Sequence, residues 1–295
     1  MTKTQEYKHD LTIIILNYNS QFWLKKTLTS LKEEYLDKTK YKVKVIVVDN
    51  NSPDDSTTLI KRSFRWVELI ELEENLGFAA GNNIALSKID SKYGMLLNND
   101  VEFTHNSNLD ILIDLMEKKE TKKAGMATPR LEFPTGEIDP GCHRGEPTLW
   151  ASFTYMLGLE KLFPKSKLFG QYHQYFNDLA TAHEIDACSG AAMIFRTELL
   201  EKVGLLDERF FMYAEDLDWC KRFRDNKYKI IYYPYVSLIH HKNKSGIGSK
   251  SKAISSKTKT YFYDTMLQYY DKHYQKDYPK WVRTGIKYLL KIKKG

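Results

Sequence analysis

Apolar residues change their period several times along the chain, and each change marks an element. Leu11-Thr12-Ile13-Ile14-Ile15-Leu16 is a nearly continuous β-branched run, the pattern of a parallel strand covered on both faces. It breaks into Asn17-Tyr18-Asn19-Ser20, where Ser20 can cap a helix through Phe22, Trp23, Leu24, Leu28 and Leu31. Val43 to Val48 repeats the strand pattern and ends in Asp49-Asn50-Asn51-Ser52, after which Asp54 and Asp55 offer caps for a helix through Leu59 and Ile60. Val67 to Leu72 reads as a third strand, Gly77 to Leu86 as a loop entering a helix, and the apolar run ending in Leu96-Leu97 as a fourth strand. This alternation predicts an α/β fold built on a mostly parallel sheet flanked by helices.

Beyond Asp100 the pattern loosens. Asn108 can start a helix through Leu109, Leu112, Ile113, Leu115 and Met116, and Pro134-Thr135-Gly136 is a turn between two short strands, Leu131-Glu132-Phe133 and Glu137-Ile138-Asp139. Residues from about 141 to 182 lack a period and are rich in aromatics, as expected of an irregular segment lying over a site. Order returns where the small residues of Cys188-Ser189-Gly190-Ala191-Ala192 precede the strand Met193-Ile194-Phe195. Thr197 then caps a helix through Leu199, Leu200 and Val203, and Val236 to Ile239 is a last strand that ends in His240-His241.

Polar residues collect at three successive strand ends: Asn17 and Asn19, then Asp49 to Asn51, then Asn98-Asn99-Asp100. Turn chemistry alone accounts for any one of these. All three together fall on the carboxyl edge of a parallel sheet, where open α/β folds bind ligands. Asp100 offers a hard oxygen there, suited to Mg²⁺ or Mn²⁺ shared with a phosphate. Glu74-Asn75-Leu76-Gly77-Phe78-Ala79-Ala80-Gly81-Asn82-Asn83 has small residues that would let a phosphate approach a helix N-terminus. Neither Gly-x-Gly-x-x-Gly nor a P-loop occurs, so dinucleotide and P-loop enzymes lose support. Far along the chain, Glu215-Asp216-Leu217-Asp218 supplies three more carboxylates at the start of a helix, where any of them could serve as a cap.

Composition narrows the classes. With 295 residues and 42% apolar content the chain can bury a full core. No apolar run has the length of a spanning helix, and no basic-then-apolar leader opens the chain, so a cytoplasmic protein is expected. Cys142, Cys188 and Cys220 form no Cys-x-x-Cys pair and read as buried thiols. The net charge of +7 is concentrated at one end: residues 242 to 295 carry 14 Lys and Arg against 3 Asp and Glu, whereas the rest has 31 against 35. A basic stripe with interleaved aromatics fits an anionic membrane surface better than nucleic acid, which is not expected as a partner.

Five motifs in order, Ile15-Leu16-Asn17-Tyr18-Asn19, Val47-Val48-Asp49-Asn50-Asn51-Ser52, Glu74 to Asn83, Leu96 to Asp100, and Val203-Gly204-Leu205-Leu206-Asp207-Glu208-Arg209-Phe210-Phe211 through Asp218, resemble the inverting family 2 glycosyltransferases of GT-A fold. The likeness is strongest to their bacterial rhamnosyltransferase branch and covers roughly residues 10 to 245. It implies a GT-A domain over residues 1–245, with a nucleotide-binding half at about 10–130, an acceptor and catalytic half at about 131–245, and a basic aromatic helical tail at 246–295. It further implies a sugar nucleotide donor, dTDP-rhamnose by branch or a UDP-hexose or UDP-N-acetylhexosamine otherwise, and a saccharide or lipid-linked acceptor. A nucleotide-sugar-binding protein without turnover is the alternative from another class.

The resemblance also implies roles. Asn17, Asn19, Asp49 and Asn51 line the nucleotide pocket, and Asn75, Gly77 and Asn82 belong to the donor loop. Asn98, Asn99 and Asp100 match an Asp-x-Asp metal motif, with Asn in its first position, and one histidine of the His240-His241 pair, with His240 favoured over His241, completes metal or diphosphate binding. Glu215 and Asp216 match the catalytic acidic pair, with Asp216 as general base, as a sugar hydroxyl needs when it attacks an anomeric carbon. Arg222 matches an arginine that orients the loop or meets phosphate; an ordinary ion pair within its helix fits equally. The Lys-, Gly- and Ser-rich stretch Lys242 to Lys252 reads as a mobile loop over the diphosphate. Two helices follow, one through Tyr261 to Tyr270 and a second through Trp281 to Ile292, that pack on the core or lie on a membrane.

Overall fold

A computed structural model describes residues 6–242 and 252–294. The Lys-, Gly- and Ser-rich stretch at 243–251 lies outside the described residues. The first half follows the expected alternation: β1 (His9–Asn17), α1 (Gln21–Leu31), β2 (Val43–Asp49), α2 (Ser56–Ser63), β3 (Glu68–Glu71), α3 (Gly77–Leu86) and β4 (Ser91–Asn98). Then come β5 (Val101–Glu102), α4 (Asp110–Glu117), β6 (Ala124–Glu132), α5 (Leu149–Met156), α6 (Leu159–Leu162), β7 (His183–Ile185), β8 (Ala192–Arg196) and α7 (Leu200–Val203). The chain closes with α8 (Glu215–Asp225), β9 (Lys229–His240), α9 (Lys252–His273) and α10 (Lys280–Lys294).

Among the described residues nine strands form one sheet in the order β3-β2-β1-β4-β8-β6-β9-β5, with β7 paired to β9. Pairing is parallel through β3, β2, β1 and β4, whose βαβ crossovers cover both faces. Ile13, Ile14 and Ile15 are accordingly buried to the last atom. β8 enters antiparallel between β4 and β6, and β9 pairs parallel with β6 but antiparallel with β5 and β7. Register aligns the strand ends: Asn17 faces Asp49 across β1 and β2, and Leu16 faces Asn98 across β1 and β4. Three polar strand ends thus share one edge of the sheet.

Several local expectations are corrected. Ser20 holds the N-cap position of α1 but makes no side-chain cap; the Gln21 amide donates instead to Asp54 Oδ2 at 2.9 Å, a partner from the next crossover. Thr197 Oγ1 turns away from its helix to the Ser91 carbonyl, 106 residues distant, at 2.5 Å. The strand expected at Leu131 is the end of the nine-residue β6, and that at Val236 is the end of the twelve-residue β9. The three cysteines are free and buried.

The tail packs on the domain through α9. Tyr269 lies in the main core cluster, the Tyr261 ring stacks on Phe211 at 5.1 Å, and His273 Nε2 meets the fully buried Asp218 Oδ1 at 2.7 Å. α10 is tethered through a bidentate Arg283–Asp271 pair and a buried Leu290, while Trp281, Tyr288 and Leu289 face outward. No helix among the described residues is long and apolar enough to cross a membrane.

Candidate functional site

The edge where β1, β2 and β4 end is knitted by side-chain amides. Asn17 Nδ2 donates to Asp49 Oδ1 at 2.9 Å and to Ser52 Oγ at 3.1 Å, and Asn17 Oδ1 accepts from Asn99 Nδ2 at 2.8 Å. Asp49 also accepts the Ser52 amide and hydroxyl at 2.8 and 2.7 Å. Asn17 and Asp49 are therefore buried and largely satisfied by protein. Near them in sequence, Asn19 and Asn51 are both exposed and both in the left-handed region at φ 49° and 59°. Asn tolerates that conformation better than most side chains, which gives a local reason for its placement.

The donor loop departs from its expected reason. Gly77 is small for the protein's sake: a Cβ there would come 2.4 Å from the Phe211 carbonyl oxygen, and its φ is +82°. The neighbouring Phe78 amide donates to that same carbonyl at 2.7 Å. Asn75 Oδ1 accepts from Asn50 Nδ2 and from the Gly77 amide, each at 2.9 Å, so it braces the loop. Asn82 is a correction, because it is buried with its amide donated to the Phe78 carbonyl and holds the first turn of α3 instead of opening onto a ligand.

The metal motif leads to a chain of ionisable groups. Asn98 and Asn99 are half-buried and Asp100 is buried. Asp100 Oδ1 has no hydrogen-bond partner and lies 3.3 Å from His240 Nε2, because β5 pairs with β9 and the His241 amide donates to the Asp100 carbonyl at 2.9 Å. His240 Nδ1 in turn meets Asp139 Oδ2 at 2.8 Å, and Asp139 Oδ1 accepts from Lys242 Nζ at 3.0 Å and the Gly141 amide at 2.9 Å. Burial opposes a charged imidazole, but the two carboxylates outweigh it and raise His240 to about 9. An orphaned carboxylate oxygen beside an imidazole whose far nitrogen is fixed by a second carboxylate offers a divalent cation two donors once the Nε2 proton is displaced, although among the described residues no group of three or more His, Cys, Asp or Glu side chains forms a full cage. His241 is drawn elsewhere, to Glu102 Oε2 at 2.7 Å and against the Trp23 ring at 4.5 Å.

The acidic pair sits in the first turn of α8, after Ala214 in the left-handed region, and so neither Glu215 nor Asp216 is the cap. Burial, with the Asp216 charge beside it, pushes the Glu215 carboxyl well above the usual carboxylate range, and its Oε2 has no partner. Asp216 Oδ2 receives Arg144 Nη2 at 2.5 Å, and the same Nη2 donates to the Cys188 carbonyl at 2.9 Å. Arg222 spends its guanidinium on Asp218 at 2.9 Å and on the Val203 and Leu205 carbonyls at 2.6 and 2.7 Å. Three of its five N–H groups thereby brace the loop before α8.

One short segment touches every part. The Ala191 carbonyl accepts the Asn98 amide at 2.9 Å, and a Cβ on Gly190 would come 3.0 Å from the Phe78 ring. A Cβ on Gly141 would lie 3.4 Å from Ser189 Cβ, and Cys188 shares Arg144 with Asp216. Residues 188–191 therefore adjoin the metal motif, the donor loop and the acidic pair at once. Asp139 and Arg144 escape sequence reading because their partners lie 101 and 72 residues away.

A family profile described as Glycosyl transferase family 2 matches residues 12–204. The chain belongs to glycosyl transferase family 2. It is 24% identical over 243 residues to the N-acetylglucosaminyl-diphospho-decaprenol L-rhamnosyltransferase of Mycobacterium tuberculosis, covering 79% of this chain and 76% of that protein. It is 27% identical over 262 residues to the rhamnosyltransferase WbbL of Escherichia coli K12, covering 85% and 90%. Among solved structures it is similar to the mannosyltransferase PcManGT from Pyrobaculum calidifontis in complex with GDP-Man and Mn²⁺, with a TM-score of 0.57 and 17% identity over 91% of this chain and 65% of that one. It is also similar to GalNAc-T7 with UDP, GalNAc and Mn²⁺, at a TM-score of 0.58 and 17% identity over 79% and 44%. This family 2 chain is thus a rhamnosyltransferase-like glycosyltransferase with the fold of the GT-A enzymes.

Proposed function

We propose that the protein transfers L-rhamnose from dTDP-rhamnose, with inversion, to a lipid-linked saccharide or cell-surface glycan. The observation that supports this reading is the junction at residues 188–191, which adjoins Asn98, two residues before Asp100, together with the loop at Phe78 and the arginine-held carboxylate of Asp216. The rhamnosyltransferase relatives support the sugar. In this reading Asn19 and Asn51 touch the nucleoside while Asn17 and Asp49 hold the pocket floor. Asp100 and His240 would hold Mg²⁺ or Mn²⁺, which would supply positive charge to neutralise the leaving diphosphate. Asp216 accepts the proton of the attacking hydroxyl, and Arg144, bonded to its Oδ2, holds the carboxylate in place for that task. The outward Trp281, Tyr288 and Leu289 of α10, set among lysines, support peripheral attachment at the cytoplasmic face.

The test is a panel of nucleotide sugars scored by thermal shift with Mg²⁺ or Mn²⁺, followed by transfer assays on wild type and Asp216→Asn. The largest shift is expected with dTDP-rhamnose, since a ligand of the native state alone raises the melting point. Asp216→Asn should keep that shift and lose transfer by on the order of 10²–10⁴-fold. A mutant that transfers at the wild-type rate would remove the base assignment, and a larger shift with UDP sugars would move the donor.

A further inference from the structure

Between the two feet of an excursion from the domain, residues 149–168 form α5, α6 and the turn after them, and this hairpin exposes large apolar side chains. Leu162 is 70% exposed and Leu157 58%, and Trp150, Phe153, Phe163 and Leu168 are exposed with them. Scattered apolar side chains are ordinary on a surface, but six within 19 residues make a patch that calls for a partner. These side chains are held outward by a built scaffold. Thr148 Oγ1 caps α5 by accepting the Ala151 amide at 3.1 Å, Trp150 Nε1 donates to the Leu168 carbonyl at 2.8 Å, and Phe169 packs behind against Trp150 and Phe163 with ring centroids 6.3 and 5.5 Å away.

Charge selects the partner. The hairpin's one acidic residue, Glu160, is buried and turned inward, accepting the His173 amide at 2.8 Å and meeting its Nδ1 at 3.1 Å. Lys161, Lys165 and Lys167 remain exposed beside the apolar side chains. An outward face of Trp, Phe and Leu with charge of one sign matches a membrane interface rich in anionic lipid. A second copy is a poor match, because a twofold contact would set the same lysines against one another.

The hairpin also stands next to the chemistry. Arg144, which holds Asp216, lies five residues before α5, and the Gly145 amide donates to the Tyr172 carbonyl at 2.7 Å, which draws the two feet together beside α8. We propose that residues 149–168 are a lipid-docking hairpin that seats the enzyme on an anionic membrane with the Asp216 side of its pocket toward the head group of a lipid-linked acceptor. The purpose rests on the function proposed above; the surface itself does not.

The experiment is co-sedimentation of the full chain with vesicles of equal parts phosphatidylcholine and phosphatidylglycerol. Wild type should bind, and the triple variant Leu157→Glu, Leu162→Glu, Phe163→Glu should lose binding about tenfold or more. The exposed triple Lys161→Ser, Lys165→Ser, Lys167→Ser removes no packing and should likewise weaken binding, most at low salt. Trp281→Glu in α10 should cost less than either. Wild type that fails to bind, triple variants that bind within about twofold of it, or an apolar variant that converts a dimer to a monomer without changing vesicle binding, would overturn the hairpin. Thermal shift by dTDP-rhamnose with Mn²⁺ on the same preparations reads the donor separately, so that failure of the donor reading and failure of the hairpin leave different signatures.

Discussion

Asp139 decides what His240 can do. Fully buried, it fixes the imidazole by its Nδ1 and leaves Nε2 pointing toward Asp100. Such a partner sets both the tautomer and the orientation of a metal-binding histidine, and its loss commonly costs about 10–100-fold in metal affinity. Asp139→Asn should therefore raise the Mn²⁺ concentration needed for donor-dependent thermal shift by that order, with the fold retained. Glu102→Gln, which touches the histidine next door, should leave the titration in place. Equal effects of the two substitutions would deny Asp139 its positioning role. Arg144 plays a comparable part for Asp216, fixing the direction of that carboxylate through its Oδ2.

At the scale of elements, α8 and α9 behave as one unit. The buried Asp218 of α8 takes an ion pair from Lys272 and a bond from His273 in α9, and Glu146 receives Arg224 of α8 together with the Tyr274 hydroxyl just beyond α9. Burial works against ionisation of both carboxylates, yet His273, Arg222 and Lys272 hold Asp218 low, and Tyr274, Arg224 and Lys221 hold Glu146 low. A carboxylate whose folded value is depressed contributes stability above its unfolded value, about 4, and loses it as pH falls through the folded one. Amides of residues 260–274 should thus stay protected from hydrogen exchange at pH 6 and open near pH 3 ahead of those in β1. Simultaneous opening would mean that the tail is held by apolar contact alone. These long-range pairs are also what sequence conceals. β1, β2 and β4 are legible because an unbroken apolar run can be read locally, whereas β6, Ala124-Gly125-Met126-Ala127-Thr128-Pro129-Arg130-Leu131-Glu132, is buried by small and polar residues without a period. The helical period of α9 is visible, but nothing in it announces Asp218 as its anchor.

For the whole molecule the question is whether the donor-side half and the acidic-pair half fold as one. The contact between Gly77 and Phe211 joins them across 134 residues of chain, backbone against backbone. Gly77→Ala adds a methyl group 2.4 Å from the Phe211 carbonyl oxygen at a φ of +82°, so it incurs both backbone strain and a clash with the backbone of the other half. Gly136→Ala is the matched control, since its φ is +84° but no atom lies within 4 Å of the added carbon. The control should cost about 1–2 kcal/mol, the strain alone. Gly77→Ala should exceed it by roughly 1–3 kcal/mol, the ordinary range for forcing atoms into packed structure. Urea unfolding followed by both tryptophan fluorescence and circular dichroism measures the difference. If the halves form one cooperative unit, both variants should lower the midpoint of a single transition with the slope unchanged. If instead Gly77→Ala splits the transition in two, the nucleotide pocket and the base belong to separable units, and closure of one on the other becomes a step of the reaction cycle in its own right.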